Sequence, residues 1–364
     1  MIKAHEYLNE IESYKPGKAK IQGAGREFIK LSSNENALKS SKKALAAYKN
    51  HANEVFRYAD GSCALLHKAL ANKHKIDAEK IVCGAGSDEL LALLTQAFAG
   101  IDDEIIYSKH GFLMYPISAK RVGARAIAVA EKNLKADIDA ILVAITDKTK
   151  IIFIANPNNP TGSYLSQKEI DKLIAGTPKS ILIVFDHAYD EFAQGVKDYP
   201  NAIKLVDKNE NVVMTRTFSK AYGLASLRIG WSYSSIEIAE ILNKIRGPFN
   251  VGGSAQAAAI MALQDEAFLK KSLRHNKKWL KIFFKTAREF SKIKAYKSVA
   301  NFILFDFASQ ENCAKANSIF IENGFILREM SAYHLPNCLR MTIGTAQENE
   351  KALEVLKNID KNLE

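Results

Sequence analysis

Short apolar runs alternate with longer amphipathic segments over much of the chain. The apolar runs predict strands at residues 81–83, 104–107, 124–130, 150–155 and 180–186. The amphipathic segments predict helices at residues 63–73, 88–99, 136–143 and 167–175. Strands that alternate with helices are typical of an α/β fold with a mostly parallel sheet covered on both faces. Ligands of such sheets bind at the carboxyl ends of the strands.

The rest of the chain predicts a second, smaller unit. Helices predicted at residues 236–245 and 254–263 close the large unit, and a lysine-rich helix predicted at 265–291 leads into the smaller one. Strands at 301–307 and 338–343 and helices at 311–323 and 347–362 follow. A chain of 364 residues and 40.4 kDa suits one large and one small domain. We predict an N-terminal arm with part of the small domain at 1–45, a large domain at 46–265 and a small domain at 266–364.

Composition and charge narrow the class of protein. Apolar residues make up 47% and charged residues 25%, as in ordinary globular proteins. The net charge of +11 comes from lysines spread along the chain without interleaved aromatic residues, which favours a solvated basic surface over nucleic-acid binding. The four cysteines form no C-x-x-C pair, and no histidines stand at metal spacing. No run approaches ~20 apolar residues and the start is polar, so we expect a cytoplasmic protein without a metal or a membrane span.

The richest candidate chemistry lies in residues 215–231, TRTFSKAYGLASLRIGW, directly after a β-branched run. A lysine in a sheltered, electropositive position can be neutral and attack a carbonyl, and Lys220 stands in such a setting. Ser219 and Arg228 supply a hydroxyl and a guanidinium suited to a phosphate. Gly223 allows a close backbone turn. A surface lysine without chemistry is the competing interpretation of Lys220.

Three further motifs fall at predicted strand ends. GAGSDE places Ser87 and Asp88 at a helix start, where free N–H groups can bind an anion, although either residue can equally be an N-cap. Asn159 lies in the turn-forming string NPTG. Asp186 ends an apolar run, where a carboxylate needs a cationic partner, and Tyr189 follows it in DHAY.

These motifs, in this order, resemble those of fold-type I pyridoxal-phosphate aminotransferases, and most closely those of histidinol-phosphate aminotransferases. The resemblance runs with gaps from Tyr14 to Thr345. It implies a mostly parallel seven-stranded sheet in the large domain, a smaller α+β domain, and pyridoxal 5′-phosphate joined to Lys220 as a Schiff base. The implied phosphate ligands are Thr217, Ser219, Arg228 and the backbone of Gly86, Ser87 and Asp88.

The resemblance also implies contacts to the cofactor ring. Tyr115 matches the aromatic ring that stacks on the pyridine face, although a Tyr in an apolar run is usually a core residue. Asn159 and Tyr189 match the donors to the phenolic oxygen. Asp186 matches the carboxylate that keeps the ring nitrogen protonated. His187, where the family often has Glu, is interpreted as structural.

The implied substrate contacts include the N-terminal arm and a partner subunit. Tyr14 in SYKPGK and Asn34 in SSNEN match arm motifs, and Ala37-Leu38-Lys39 replaces the Pro and Gly that usually follow SSNEN. Asn250 in RGPFN matches a residue near the active site. Tyr58 matches a residue that reaches the neighbouring subunit's cofactor phosphate, which implies a homodimer.

Two arginines on predicted strands complete the expected site. Arg328 and Arg340 need an anion to offset burial, and either can pair with an internal carboxylate instead. The resemblance implies that they bind the substrate's distal anion, which is the phosphate of histidinol phosphate or a carboxylate of the amino-acid partner.

The expected reaction is transamination between L-histidinol phosphate and 2-oxoglutarate, in the biosynthesis of histidine, with Lys220 as the general base at the substrate Cα. The string YHLP at residues 333–336 resembles a subgroup that also accepts aromatic amino acids or a prephenate/arogenate pair. A threonine-phosphate decarboxylase of the same fold is more remote. A non-catalytic pyridoxal-phosphate sensor is the alternative of another class, although no residues remain for a DNA-binding module.

Overall fold

The protein is described by a computed structural model that covers residues 2–14, 17 and 27–363. Strands are numbered in chain order within these residues. They are β1 (Ile29–Lys30), β2 (Ile81–Gly84), β3 (Glu104–Ser108), β4 (Arg125–Val129), β5 (Thr149–Ala155), β6 (Leu182–Asp186), β7 (Val212–Thr217), β8 (Gly230–Tyr233), β9 (Lys294–Tyr296), β10 (Phe302–Asp306), β11 (Phe325–Ile326), β12 (Arg328–Glu329) and β13 (Cys338–Thr342).

Helices are numbered in the same way. They are α1 (Lys42–Asn50), α2 (Ala64–His74), α3 (Ser87–Phe98), α4 (Met114–Arg121), α5 (Ile138–Val143), α6 (Gln167–Gly176), α7 (Asp190–Ala193), α8 (Ala202–Lys208), α9 (Ile236–Ile245), α10 (Gly253–Gln264), α11 (Glu266–Ala287), α12 (Gln310–Glu322) and α13 (Ala346–Asn362). Short 3-10 turns lie at Glu6–Glu10, His51–Glu54, Ala78–Lys80, Ala225–Leu227 and Ser331–Tyr333. None of the described helices is both long and apolar enough to cross a membrane.

The largest sheet has seven strands in the order β2-β8-β7-β6-β5-β3-β4. The neighbours β7-β6-β5-β3-β4 pair in parallel, whereas β8 is antiparallel to both β7 and β2. The prediction of a mostly parallel sheet is confirmed. Parallel strands that are buried on both faces consist of continuous apolar runs, and β6 is buried at every position.

A second sheet, entirely antiparallel, has the order β12-β13-β10-β9. A two-stranded parallel pair joins β1 to β11, so the N-terminal segment is tied to a strand nearly three hundred residues later. Helix α13 covers the antiparallel region and begins with a capping box, in which Thr345 and Glu348 satisfy each other's backbone N–H groups.

Separate apolar clusters fill the two regions. One lies around the seven-stranded sheet and includes Phe185 and Met214, and another lies around the antiparallel sheet and includes Phe305 and Leu339. Leu31 of the N-terminal segment packs in the second cluster. The domain boundaries at residues 45/46 and 265/266 stay a prediction, which this division of the core supports.

Candidate active site

A cavity of about 230 Å³ lies where β6 and β7 end and the antiparallel sheet approaches them. Its walls come from strand ends of the large sheet, the start of α3, the arm and the segment that includes β12 and β13. The predicted site residues that line it are Tyr14, Asn34, Ser87, Asp88, Asn159, Asp186, Tyr189, Thr217, Ser219, Lys220, Arg228, Arg328 and Arg340. Chain topology therefore brings most of the predicted residues to one place.

Lys220 follows β7 and is half-buried in the cavity wall. Its Nζ lies 3.4 Å from Ser33 O and 5.8 Å from the centre of the Tyr189 ring. Burial lowers the pKa of Lys220 to about 8, and the positive charge of Arg340 adds to the effect. A neutral amine, which is what attack on a carbonyl requires, is therefore accessible near neutral pH.

The loop that carries Lys220 turns tightly against the N-terminal segment. Gly223 has φ +69°, and a Cβ there would lie only 2.0 Å from Lys39 O. Asn36 Nδ2 donates to Ala221 O at 2.7 Å, and the Asn36 side chain accepts from Leu38 N at 2.8 Å. The unusual sequence at residues 37–39 thus forms a turn in which Lys39 adopts a left-handed φ of +65°, and this turn holds the lysine loop.

A group of hydroxyl and guanidinium donors lies beside the start of α3. Thr217 Oγ1 donates to Ser219 Oγ at 2.9 Å, and Arg228 Nη1 donates to the same Ser219 oxygen at 3.2 Å. Helix α3 has no side-chain cap, so the N–H groups of its first turn are available to an anion. Gly86 has φ +86°, and a Cβ there would lie 2.3 Å from Arg228 Nη2. Asp88 faces Arg228 Nη2 at 3.3 Å.

Asp186 ends β6 and is only 5% exposed. Burial raises the pKa of its carboxyl to about 6, although a hydrogen bond from Tyr115 opposes the shift. No arginine, lysine or histidine nitrogen among the described residues comes within 4.0 Å of the Asp186 carboxylate. The cationic partner expected from the sequence is therefore not another described side chain.

Arg340 on β13 is 5% exposed and also has no carboxylate within 4.0 Å in the described part of the chain. Its Nη1 donates to Asn159 Oδ1, its Nη2 donates to Ser32 O at 3.0 Å, and its guanidinium carbon lies 5.2 Å from the centre of the Phe302 ring. A buried guanidinium bonded only to neutral acceptors retains a charge that an anionic ligand can neutralise. The alternative of an internal carboxylate is therefore excluded for Arg340 within the described residues.

Tyr189 and Asn159 have their acceptor oxygens occupied. Asn34 Nδ2 donates to the Tyr189 oxygen at 2.9 Å, and Arg340 donates to the Asn159 side-chain oxygen. Burial raises the pKa of Tyr189 to about 12, so its proton is retained at neutral pH. Each residue keeps a donor, the phenol O–H or the amide NH₂, for an acceptor in the cavity.

Four predicted residues lie outside the cavity lining. The ring of Tyr115 is 1% exposed and stacks on Phe153 at 4.9 Å, so the geometry does not support its stacking on a cofactor. Phe112, which the sequence interpretation missed, lines the cavity instead. Gly86 packs against the Arg228 guanidinium and does not line the cavity itself. Asn250 donates to Glu89 at 2.7 Å and to Cys83 O at 3.2 Å.

Tyr58 is the fourth, and it is the most exposed of the predicted residues at 84%. Its ring stacks on Phe249 at 4.6 Å. Val55 and Phe56 beside it are each 74% exposed. The remainder of the SYKPGK motif after Tyr14, apart from Gly17, lies outside the described residues.

His187 is fully buried and does not line the cavity, in agreement with a structural role. Its Nδ1 lies 2.9 Å from Tyr199 Oη and 3.4 Å from Asp190. Tyr333, at 2% exposure, does line the cavity and was not assigned from the sequence, although YHLP was noted. Its position on a short turn between β12 and β13 gives no periodic signal.

A family model, aminotransferase class I and II, matches residues 26–356. The chain is 45% identical to a histidinol-phosphate aminotransferase of Paramagnetospirillum magneticum over 352 residues, which cover 96% of each chain. It is 41% identical to a histidinol-phosphate aminotransferase of Maricaulis maris, over 97% of each chain. A crystal structure of histidinol-phosphate aminotransferase from Sinorhizobium meliloti in complex with pyridoxal-5′-phosphate superposes with a TM-score of 0.86, at 25% identity and 93% coverage of each chain.

Proposed function

Because the chain belongs to the class I and II aminotransferase family, we propose that it is a pyridoxal-phosphate-dependent enzyme that transfers the amino group of L-histidinol phosphate to 2-oxoglutarate, in the biosynthesis of histidine. The observation that carries the proposal is a combination within one cavity. Lys220 can be neutral, and within the part of the chain that the structure describes Asp186 is a buried carboxylate without a cation and Arg340 a buried guanidinium without a carboxylate.

The residues present fit the cofactor. A phosphate suits the Thr217, Ser219 and Arg228 donors with the first turn of α3, and the absence of a side chain at Gly86 leaves room for the Arg228 guanidinium. A protonated ring nitrogen suits Asp186. Bound pyridoxal phosphate supplies an electrophilic carbon and a ring that accepts electrons. We assign the stacking contact to Phe112 in place of Tyr115.

Lys220 has two tasks in the proposed mechanism. In its neutral form it holds the cofactor covalently, and once released it takes the proton from the substrate Cα, since it is the amine in the cavity with a lowered pKa. Tyr189 and Asn159 direct their remaining donors at the phenolic oxygen. Arg340 and Arg328 bind the phosphate of the donor and a carboxylate of the acceptor in turn. Tyr14 completes the outer wall.

Asn34 and Asn250 act at one remove from the ligands. Asn34 fixes the Tyr189 oxygen, and Asn250 holds the turn before α3 through Glu89, whose carboxylate also accepts from Ala85 N at 2.6 Å. We propose a homodimer in which Tyr58 reaches the partner's cofactor phosphate, a role supported by the exposed apolar patch around it. With four free, buried cysteines, the proposed compartment is the cytoplasm.

A donor panel tests the proposal. Purified protein with pyridoxal phosphate and 2-oxoglutarate is supplied with histidinol phosphate, phenylalanine, tyrosine or arogenate as the amino donor, and kcat/KM is compared. Prephenate, a keto acid, is tested separately as an acceptor with glutamate as the donor. We expect glutamate to form and histidinol phosphate to be preferred. Preference for an aromatic donor would overturn the substrate and leave the transaminase in place. Cofactor binding without glutamate from any donor would favour the sensor.

A further inference from the structure

Tyr115 lies directly beneath the cavity, on α4, and its hydroxyl points at Asp186. The Tyr115 oxygen is 3.0 Å from Asp186 Oδ2. A carboxylate only accepts, so the phenol is the donor. The ring is clamped by Phe153, stacked at 4.9 Å, and by Phe112, edge-on at 6.0 Å. This packing gives the hydroxyl a fixed direction.

Asp186 has few other neighbours that favour its charged form. Thr215 Oγ1 lies 3.5 Å from Asp186 Oδ1, at the limit of a hydrogen bond, and the N–H of Ala188 also contributes. Of the titratable groups nearby, Asp88 raises the pKa of the Asp186 carboxyl and His187 lowers it. The Tyr115 hydrogen bond is the strongest side-chain contact that opposes the effect of burial.

We propose that Tyr115 is a positioning residue that acts through Asp186, holding one carboxylate oxygen so that the carboxylate stays ionised and directed at the cofactor ring. This inference rests on the proposed function, in which Asp186 pairs with the ring nitrogen. A carboxylate that could rotate or protonate would no longer supply a fixed negative charge there. Tyr115 does not line the cavity, and the partner of its hydroxyl is Asp186, so the effect of the hydroxyl must pass through Asp186.

The direct test is Tyr115→Phe, which keeps the clamped ring and removes only the hydroxyl. Hydrogen bonds to charged groups stabilise by amounts that correspond to about a tenfold change in an equilibrium. We therefore expect the dissociation constant of pyridoxal phosphate to rise about tenfold at pH 7. The matched control is Tyr107→Phe. Tyr107 is a half-buried tyrosine on β3, in the sheet that carries Asp186, and it makes no described contact with Asp186. This variant should bind the cofactor like the wild type.

Carbon-13 NMR of labelled aspartate, recorded on the protein without cofactor, separates positioning from packing. The carboxyl of Asp186 should have a higher pKa in Tyr115→Phe than in the wild type or Tyr107→Phe. The loss in cofactor affinity should shrink as the pH rises, because Asp186 is then ionised in the variant as well as in the wild type. An unchanged titration of Asp186 would overturn the inference.

A double variant closes the test. In an Asp186→Asn background, Tyr115→Phe should have little further effect on cofactor affinity, since no carboxylate remains to be positioned. An equal loss in both backgrounds would show that the hydroxyl acts through packing and would refute the inference. Failure of the wild type itself to bind pyridoxal phosphate would instead refute the proposed function, so the two failures are distinguishable.

Discussion

Two groups of buried charges lie on opposite sides of β7 and differ in how they are satisfied. Arg216 contacts Asp190 at 2.8 Å and Glu191 at 2.6 Å, and all three are buried. On the cavity side, Asp186 and Arg340 have no oppositely charged partner among the described side chains. Residue type is the same in both groups. What separates a structural ion cluster from a site is whether each charge already has its partner.

The pKa values of the two aspartates follow this difference. Burial alone raises the pKa of Asp190, but Arg216 and His187 outweigh it and bring the pKa below its usual range. Burial dominates at Asp186 and raises its pKa to about 6. Strand geometry explains the separation, since Thr215 and Thr217 face the cavity side and Arg216 between them points the other way.

The largest expected effect is the loss of the cavity's amine. Lys220→Ala should reduce transamination by more than about 10³-fold, because both covalent attachment and proton transfer are removed. Borohydride reduction should no longer fix the cofactor to the polypeptide. The control is Lys73→Ala on α2, a lysine paired with Glu266 at 2.5 Å, which should keep full activity. Undiminished half-reactions in Lys220→Ala would contradict the proposal.

Removing each buried arginine compares the two groups directly. Arg216→Met should lower the free energy of unfolding by about 3–5 kcal/mol, because Asp190 and Glu191 are left buried without a cation. Arg340→Met leaves no described carboxylate without its cationic partner, so the free energy of unfolding of this variant should match or exceed that of the wild type. Its kcat/KM should fall by roughly 100-fold through the lost substrate anion contact. Urea unfolding and steady-state kinetics measure the two effects.

Replacing each buried aspartate makes the comparison pH-dependent. The folded-state pKa of Asp186 lies above its unfolded value of 3.8. Its burial therefore lowers the free energy of unfolding progressively between pH 3.8 and about pH 6, fully above about pH 6, and not at all below pH 3.8. Without cofactor, Asp186→Asn should be more stable than the wild type at pH 8 by about 2–3 kcal/mol, with no gain at low pH. Asp190→Asn should be less stable at pH 8, since its folded pKa is lowered. If both substitutions changed the free energy of unfolding in the same direction at pH 8, the proposed difference between the two groups of charges would be wrong.

The smallest expected effect concerns the rate of cofactor capture. Since burial lowers the pKa of Lys220 to about 8, the neutral fraction of the amine should rise roughly tenfold between pH 6 and pH 7 and level off above pH 8. Stopped-flow absorbance of pyridoxal phosphate added to cofactor-free protein measures this rate. A midpoint near that of an exposed lysine would show that the amine is not sheltered.

Apolar periodicity was sufficient to predict most of the large sheet and its helices. The strand at β8 was missed because Gly230–Tyr233 is short and follows directly from the lysine motif. Helix α4 was missed because Pro116 and mixed polarity hide its period. The pair of β1 with β11 is non-local, so no pattern in either segment indicates it.

For the site, motifs located the residues, but only the fold could assign neighbours. Tyr115 and Phe112 are three residues apart in one apolar string, and which ring faces the cavity depends on how α4 packs on β5. The charged partners of Arg216 lie on α7, a four-residue helix with no sequence signal of its own. A sequence pattern within one segment does not indicate which side chains from distant segments will contact a buried charge.

The pairing of β1 with β11 has a consequence for synthesis. Asn34 Nδ2 donates to Tyr189, and Asn34 is itself held by Thr342 and Asn301, which the ribosome makes more than 250 residues later. The segment around Asn34 therefore cannot dock until a segment made more than 250 residues later has emerged. Nascent chains that stop short of β13 should carry an unfinished pocket, open to proteases at its entrance.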